Sequence, residues 1–181
     1  MADTNLQFDH ALAVCRDIFE KKLADYGASW RIMRPEALTD QIFIKAKRIR
    51  SLQIKHHSAV GEGILPEFIG IVNYGIIGII QLEHGYSDSK DIDNATALQW
   101  YDEVAARVRA LMIAKNHDYD EAWRMMRVIS YTDLILTKIQ RTKEIEDHAG
   151  VTKVSEGIDA NYADMVNYAV FGIIKLTDGK D

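Results

Sequence analysis

The chain has 181 residues, 48% of them hydrophobic, and a formal net charge of -5. That size and apolar content support one compact domain with a real core. The acidic balance argues against a general nucleic-acid binder, which needs a basic surface.

Cys15 is the single cysteine, so no internal disulfide is possible and a reducing, cytoplasmic setting is expected. Met1 to Thr4 shows no basic segment leading into an apolar run, so no signal peptide is expected.

The first predicted helix runs from about Leu6 to Ala24, with Leu12, Cys15, Phe19 and Leu23 at helical spacing. An irregular polar stretch follows, reading Asp25-Tyr26-Gly27, then Trp30-Arg31. A second helix is expected from Thr39 to Gln53, with Thr39 as its N-cap and Asp40 in the first turn. The third runs from about Pro66 to Leu82, since proline suits a first helical turn. Its apolar run from Phe68 to Leu82 is too short for a membrane span and is interrupted by Asn73 and Tyr74.

Residues 83–94 read as a solvated connector, with Gly85 and Ser87-Asp88-Ser89. Residues 95–181 then repeat residues 1–82. A helix from Ala95 to Ala114 leads into Asp118-Tyr119 and Trp123-Arg124. A helix capped by Thr132 follows, then one from Asp159 to Leu176. The predicted fold is all-α, a pseudo-symmetric bundle of two tandem three-helix repeats. A dimer is expected from exposed helical faces.

Pairing the copies at an offset of 93, then 94, leaves 22 identities in 53 positions. Apolar positions drift between copies, as Ile32 to Met125 and Phe43 to Leu136, because cores tolerate volume-conserving swaps. Many polar and aromatic positions do not. Trp30, Arg31, Arg34, Lys45, Arg48, Glu62, Asn73 and Tyr74 recur as Trp123, Arg124, Arg127, Lys138, Arg141, Glu156, Asn167 and Tyr168. A unit that keeps polar residues while its core drifts is built around a polar site.

Three chemistries are open to those residues. Glu156, Asp159 and Asp164 place carboxylates at and along the last helix, where they could hold Mg²⁺ or Mn²⁺, with Asp118 as a further ligand. Glu156 and Asp159 also suit a helix N-terminus without any metal, and Asp118 suits a turn. Lys138 and Arg141, three residues apart, share a helix face and could hold phosphate, as could Lys45 and Arg48. The alternative is solvated surface charge.

Tyr119, Trp123, Arg124 and Arg127 could receive a base by stacking; the alternative has Trp123 and Trp30 anchoring the irregular segment. Asn73 and Asn167 join the substrate set. Asp133 joins Glu156 and Asp164 as a catalytic carboxylate, one of which could act as general base. A wholly structural reading pairs Asp25 with Arg31 or Arg34. The histidines do not recur; only His117, beside Asp118, is near the motif. Glu62 remains in the first copy and Glu67 is added, but Leu65 and Gly70 replace Asp159 and Asp164.

The pattern D-Y-G-x-x-W, then K-x-x-R, then E and D-x-x-N-Y-A resembles a bacterial and phage family named for its association with nucleotide modification. The resemblance covers nearly the whole chain as two copies. The chain also resembles the all-α nucleoside triphosphate pyrophosphohydrolases of the MazG and dimeric dUTPase group, although their clean E-x-x-E and E-x-x-D pairs are absent. That likeness implies Mg²⁺-dependent cleavage of a nucleotide phosphoanhydride by water, with metal on Glu156 and Asp164 and phosphate on Lys138 and Arg141. The alternative is a non-catalytic nucleotide-binding or regulatory module.

Overall fold

A computed structural model describes residues 3–56 and 63–178. Among them are six α-helices: α1 (Thr4–Tyr26), α2 (Pro35–Lys55), α3 (Leu65–His84), α4 (Asn94–Tyr119), α5 (Val128–Asp147) and α6 (Ile158–Thr177). The irregular stretches each contain one 3₁₀ turn, Ser29–Ile32 and Ala122–Met125. The chain is therefore the predicted all-α duplication, α1 to α3 followed by α4 to α6. Glu62 lies outside the described residues.

Aspartates open the first helix of each copy. Asp3 accepts from the amides of Asn5 and Leu6, and Asp93 from that of Thr96. Each helix then ends on a left-handed residue at the matching position, Gly27 with φ 69° and Asp120 with φ 48°. Glycine takes this conformation freely and aspartate tolerates it.

The centre of the bundle is the pair α3 and α6, packed with two-fold reciprocity. A β-carbon at Gly78 would sit 3.0 Å from the Tyr162 ring, and one at Gly172 would sit 3.1 Å from the Phe68 ring. Gly78 matches Gly172, and Phe68 matches Tyr162. One contact is the other rotated, as a self-complementary interface requires. The order of the contacts is reversed along the two helices, so they run in opposite directions.

The same reciprocity joins α2 to α5. Thr39 donates to Glu146 at 2.6 Å, and Gln53 donates to Thr132 at 3.1 Å; Gln53 and Glu146 hold matching positions. This corrects the expectation that Thr39 and Thr132 are N-caps. The helices begin four residues earlier, at Pro35 and Val128. Both threonines are fully buried and tie the two copies together.

By length and composition α3 could cross a membrane, yet it lies mostly buried against its neighbours. The connector is mostly exposed and is tied to the first copy by Arg31. Arg31 is buried and donates to Asp91 at 2.9 Å, to the Gly85 carbonyl at 2.6 Å and to Gln81. Arg31 thus clamps the link between copies and does not pair with Asp25. The buried Cys15 thiol is pushed up to about 12 by desolvation, which makes it core.

Candidate functional site

The duplication builds one cavity twice. Lys115, Tyr119, Trp123, Met126, Asn167 and Tyr168 line a cavity of about 300 Å³ in the second copy. Their counterparts Lys22, Tyr26, Trp30, Met33, Asn73 and Tyr74 line one of about 570 Å³ in the first. Each wall draws on the first helix, the 3₁₀ turn and the last helix of its copy. Volumes of this size fall within the roughly 300–1,000 Å³ range of small-molecule sites.

The shared asparagine fixes the first helix to the last. Asn73 donates to the Cys15 carbonyl at 3.0 Å, and Asn167 to the Val108 carbonyl at 3.4 Å. Cys15 and Val108 are matching positions. The amide is thus held by backbone in both copies, whatever else it does.

The second cavity holds a carboxylate of its own. Asp164 is buried and receives Lys115 at 2.5 Å and Lys138 at 2.7 Å. Burial pushes the Asp164 carboxyl up, but the two ammonium groups outweigh it and the net shift is downward. For Lys115 desolvation favours the neutral amine, and the Asp164 bond overcomes it, so its pKa is raised.

The first cavity distributes charge differently. Gly70 stands where Asp164 does, and Glu67, one turn earlier, stands where Asn161 does. Glu67 accepts from Arg48 at 3.0 Å and lies 3.5 Å from the Lys45 ammonium. Lys45 lies across Gly70: a β-carbon there would come within 2.6 Å of its Cδ and Cε. Lys22 has no ion partner among the described residues. In the second copy Asn161 instead donates to the Gly157 carbonyl at 2.9 Å.

Each copy also buries one indole donor beside its cavity. The indole N–H groups of Trp30 and Trp123 are buried and have no partner among the described residues. An unmet buried donor costs about 1–3 kcal/mol, and here it is kept in both copies. Trp123 is not free for base stacking, because Phe171 stacks on it at 4.6 Å and the Arg124 guanidinium sits 4.5 Å from its centroid. It anchors the turn. Tyr119 and Tyr26 are the exposed rings at the cavity mouths.

The remaining predicted residues scatter. Glu156 is exposed and shares a separate surface depression with Lys138 and Arg141. Asp159 is exposed in the first turn of α6. Asp133 is exposed on α5, and Asp118 is exposed beside His117 at 3.2 Å. Arg124 bonds Glu121 at 2.7 Å, Thr4 at 2.7 Å and Gln7 at 2.8 Å, closing α1 onto the turn. Arg127 precedes α5, exposed, and lines neither cavity.

No three His, Cys, Asp or Glu side chains among the described residues are grouped to hold a metal ion. With Asp164 occupied by two lysines and the other four carboxylates exposed elsewhere, these residues do not fit a divalent-cation centre in this arrangement.

Sequence reasoning overlooked Lys115 and Lys22, although their identity across the repeat was visible. It also undervalued Glu67. The signal was the paired exchange Glu67/Asn161 and Gly70/Asp164, which moves one carboxylate by a single helical turn.

No curated protein and no solved structure gives a significant match. Residues 22–82 and 115–176 each match the family described as Nucleotide modification associated domain 1. The two matches fall on the two copies and together span more than half the chain, so this protein belongs to the Nucleotide modification associated domain 1 family.

Proposed function

We propose that the protein is a nucleotide-binding module that holds its ligand in the repeated cavity without a metal-dependent cleavage step. One observation carries this reading: both copies keep the same lysine, two tyrosines, tryptophan and asparagine around a small-molecule cavity. A cationic side chain beside aromatic rings suits an anion attached to a planar base. The family description points to nucleotide modification in general terms.

Hydrolysis assisted by Mg²⁺ is the second reading. It draws on the depression shared by Glu156, Lys138 and Arg141, and on the motif likeness to the all-α pyrophosphohydrolases. It requires Asp164 to leave both lysines. Titration calorimetry with each common nucleoside mono- and triphosphate, in EDTA and in Mg²⁺, separates the two. The binding reading expects saturable heat in EDTA and no released phosphate or pyrophosphate in either buffer. Product formed only with Mg²⁺, and lost in Asp164→Ala and Glu156→Ala, would replace it with the hydrolase. No binding by any nucleotide would remove both.

A further inference from the structure

The two cavities are lined by matching residues but differ in where their carboxylate sits. In the second, the Asp164 carboxylate occupies the space between Lys115 and Lys138, at 2.5 and 2.7 Å. In the first, the same two lysines are present as Lys22 and Lys45, both lining the cavity together with Gly70, which holds the sequence position of Asp164. Glu67 attends mainly to Arg48, at 3.0 Å, and stands 3.5 Å from Lys45.

We propose that the first cavity is the ligand site, taking a nucleotide phosphate between Lys22 and Lys45, and that Asp164 fills the matching place in the second cavity as a built-in substitute. This rests on the nucleotide-binding reading above and adds the division of labour between the copies.

Three further observations agree. The first cavity is nearly twice the volume, about 570 against 300 Å³. Gly70 is what lets the Lys45 stem lie along the cavity wall, since a β-carbon would meet it at 2.6 Å. Lys22 has no ion partner among the described residues, whereas Lys115 is engaged. A phosphate carries enough negative charge to satisfy two ammonium groups, as the Asp164 carboxylate partly does in the other copy.

The exchange of Glu67 and Gly70 for Asn161 and Asp164 gives this arrangement its logic. Among the described residues, the α2 lysine pairs with Glu67 and the α5 lysine with Asp164. Only in the second copy does the carboxylate lie directly between both lysines. Among the described residues, an anion on the first copy's lysines competes only with the longer Lys45–Glu67 contact at 3.5 Å; in the second it would have to displace Asp164 from bonds of 2.5 and 2.7 Å.

The test is the number of nucleotides bound per chain, read by calorimetry in EDTA with the nucleoside 5′-mono- and triphosphates in turn and inorganic phosphate as the ring-free control. Wild type is expected to bind one equivalent. Gly70→Asp, which places a carboxylate between Lys22 and Lys45, is expected to lose about tenfold or more in affinity. Gly70→Ala adds the β-carbon without the charge and is expected to lose less. Asp164→Asn is expected to open the second cavity and bring a second equivalent.

Two equivalents in wild type, or Gly70→Ala as damaging as Gly70→Asp, would overturn this proposal while leaving nucleotide binding intact. Silence from every nucleotide with all four proteins would remove both readings. Circular dichroism melts confirm that each variant is folded.

Discussion

The Tyr101 hydroxyl donates to the Asn73 side-chain oxygen at 2.8 Å, fully buried, and at the matching place in the other half the ring is Phe8. Phe8 has no hydroxyl, and the side-chain oxygen of Asn167 is buried with no partner among the described residues. The duplication kept the asparagine and lost half of its hydrogen bonding on one side.

Tyr101→Phe should therefore copy the defect. The Asn73 oxygen would lose its donor at a cost of about 1–3 kcal/mol. Phe8→Tyr should supply the missing donor and raise stability by about 0.5–1.5 kcal/mol. Urea unfolding of both variants checks this. Equal stabilities for wild type and Tyr101→Phe would show that the hydrogen bond contributes nothing.

Glu146 sits against Thr39 where the first copy has Gln53 against Thr132. Burial raises the Glu146 pKa more than the Thr39 hydrogen bond lowers it, and Glu36 and Asp40 add to the rise. A carboxyl raised in the folded state holds its proton more tightly there than when unfolded. Its contribution is present below the ordinary glutamate value of 4.5 and is lost as pH climbs through the raised value. Glu146→Gln should keep the bond to Thr39 and raise Tm at pH 8 more than at pH 4. Thermal melts across that range test it.

Asp164 behaves with the opposite sign. Its pKa is lowered on balance from 3.8, with burial opposed by the bonds from Lys115 and Lys138. Its contribution is present above that ordinary value and is lost as pH falls through the lowered one. Acid unfolding of wild type should therefore be steeper than that of Asp164→Asn. At pH 7 the variant should lose about 1.5–3 kcal/mol, the range for hydrogen bonds to charged groups. Superimposable acid profiles would contradict the assignment.

The α3–α6 crossing allows little added volume. A β-carbon at Gly75 would lie 2.5 Å from the Val166 Cγ2, and those at Gly78 and Gly172 would press on the Tyr162 and Phe68 rings. Alanine at each should cost about 1–3 kcal/mol by overpacking. Gly63, with open space around it, is the control and should be near neutral. Chemical denaturation of the four variants measures this.

The fold was legible because its signals are local or internal. Helical periodicity marked α1 and α4, Pro66 marked the start of α3, and identity between the copies marked the repeat itself. Thr39 and Thr132 misled because a threonine followed by aspartate looks like a cap. Tertiary pairing with Glu146 and Gln53, which no local pattern encodes, claims them instead. Within the site, Trp30, Asn73 and Lys45, identical across the repeat, line the first cavity. Identity alone does not say which of the repeated cations line the cavity. Arg31 and Arg124 are identical, yet Arg31 clamps the connector and Arg124 ties α1 to the turn. The use of Asp164 was hidden too, since only the three-dimensional meeting of α4, α5 and α6 brings two lysines to it.

The chain has three tryptophans, so a proton–nitrogen correlation spectrum has three indole N–H signals to assign. Trp30 lines the first cavity, Trp123 the second, and Trp100 stacks on His84 at 3.7 Å away from both. On titrating a nucleotide in EDTA, the Trp30 signal should shift saturably while Trp100 and Trp123 hold still. A shift at Trp100 or Trp123 with Trp30 unmoved, or no shift with any nucleotide, would contradict the first-copy cavity as the binding site.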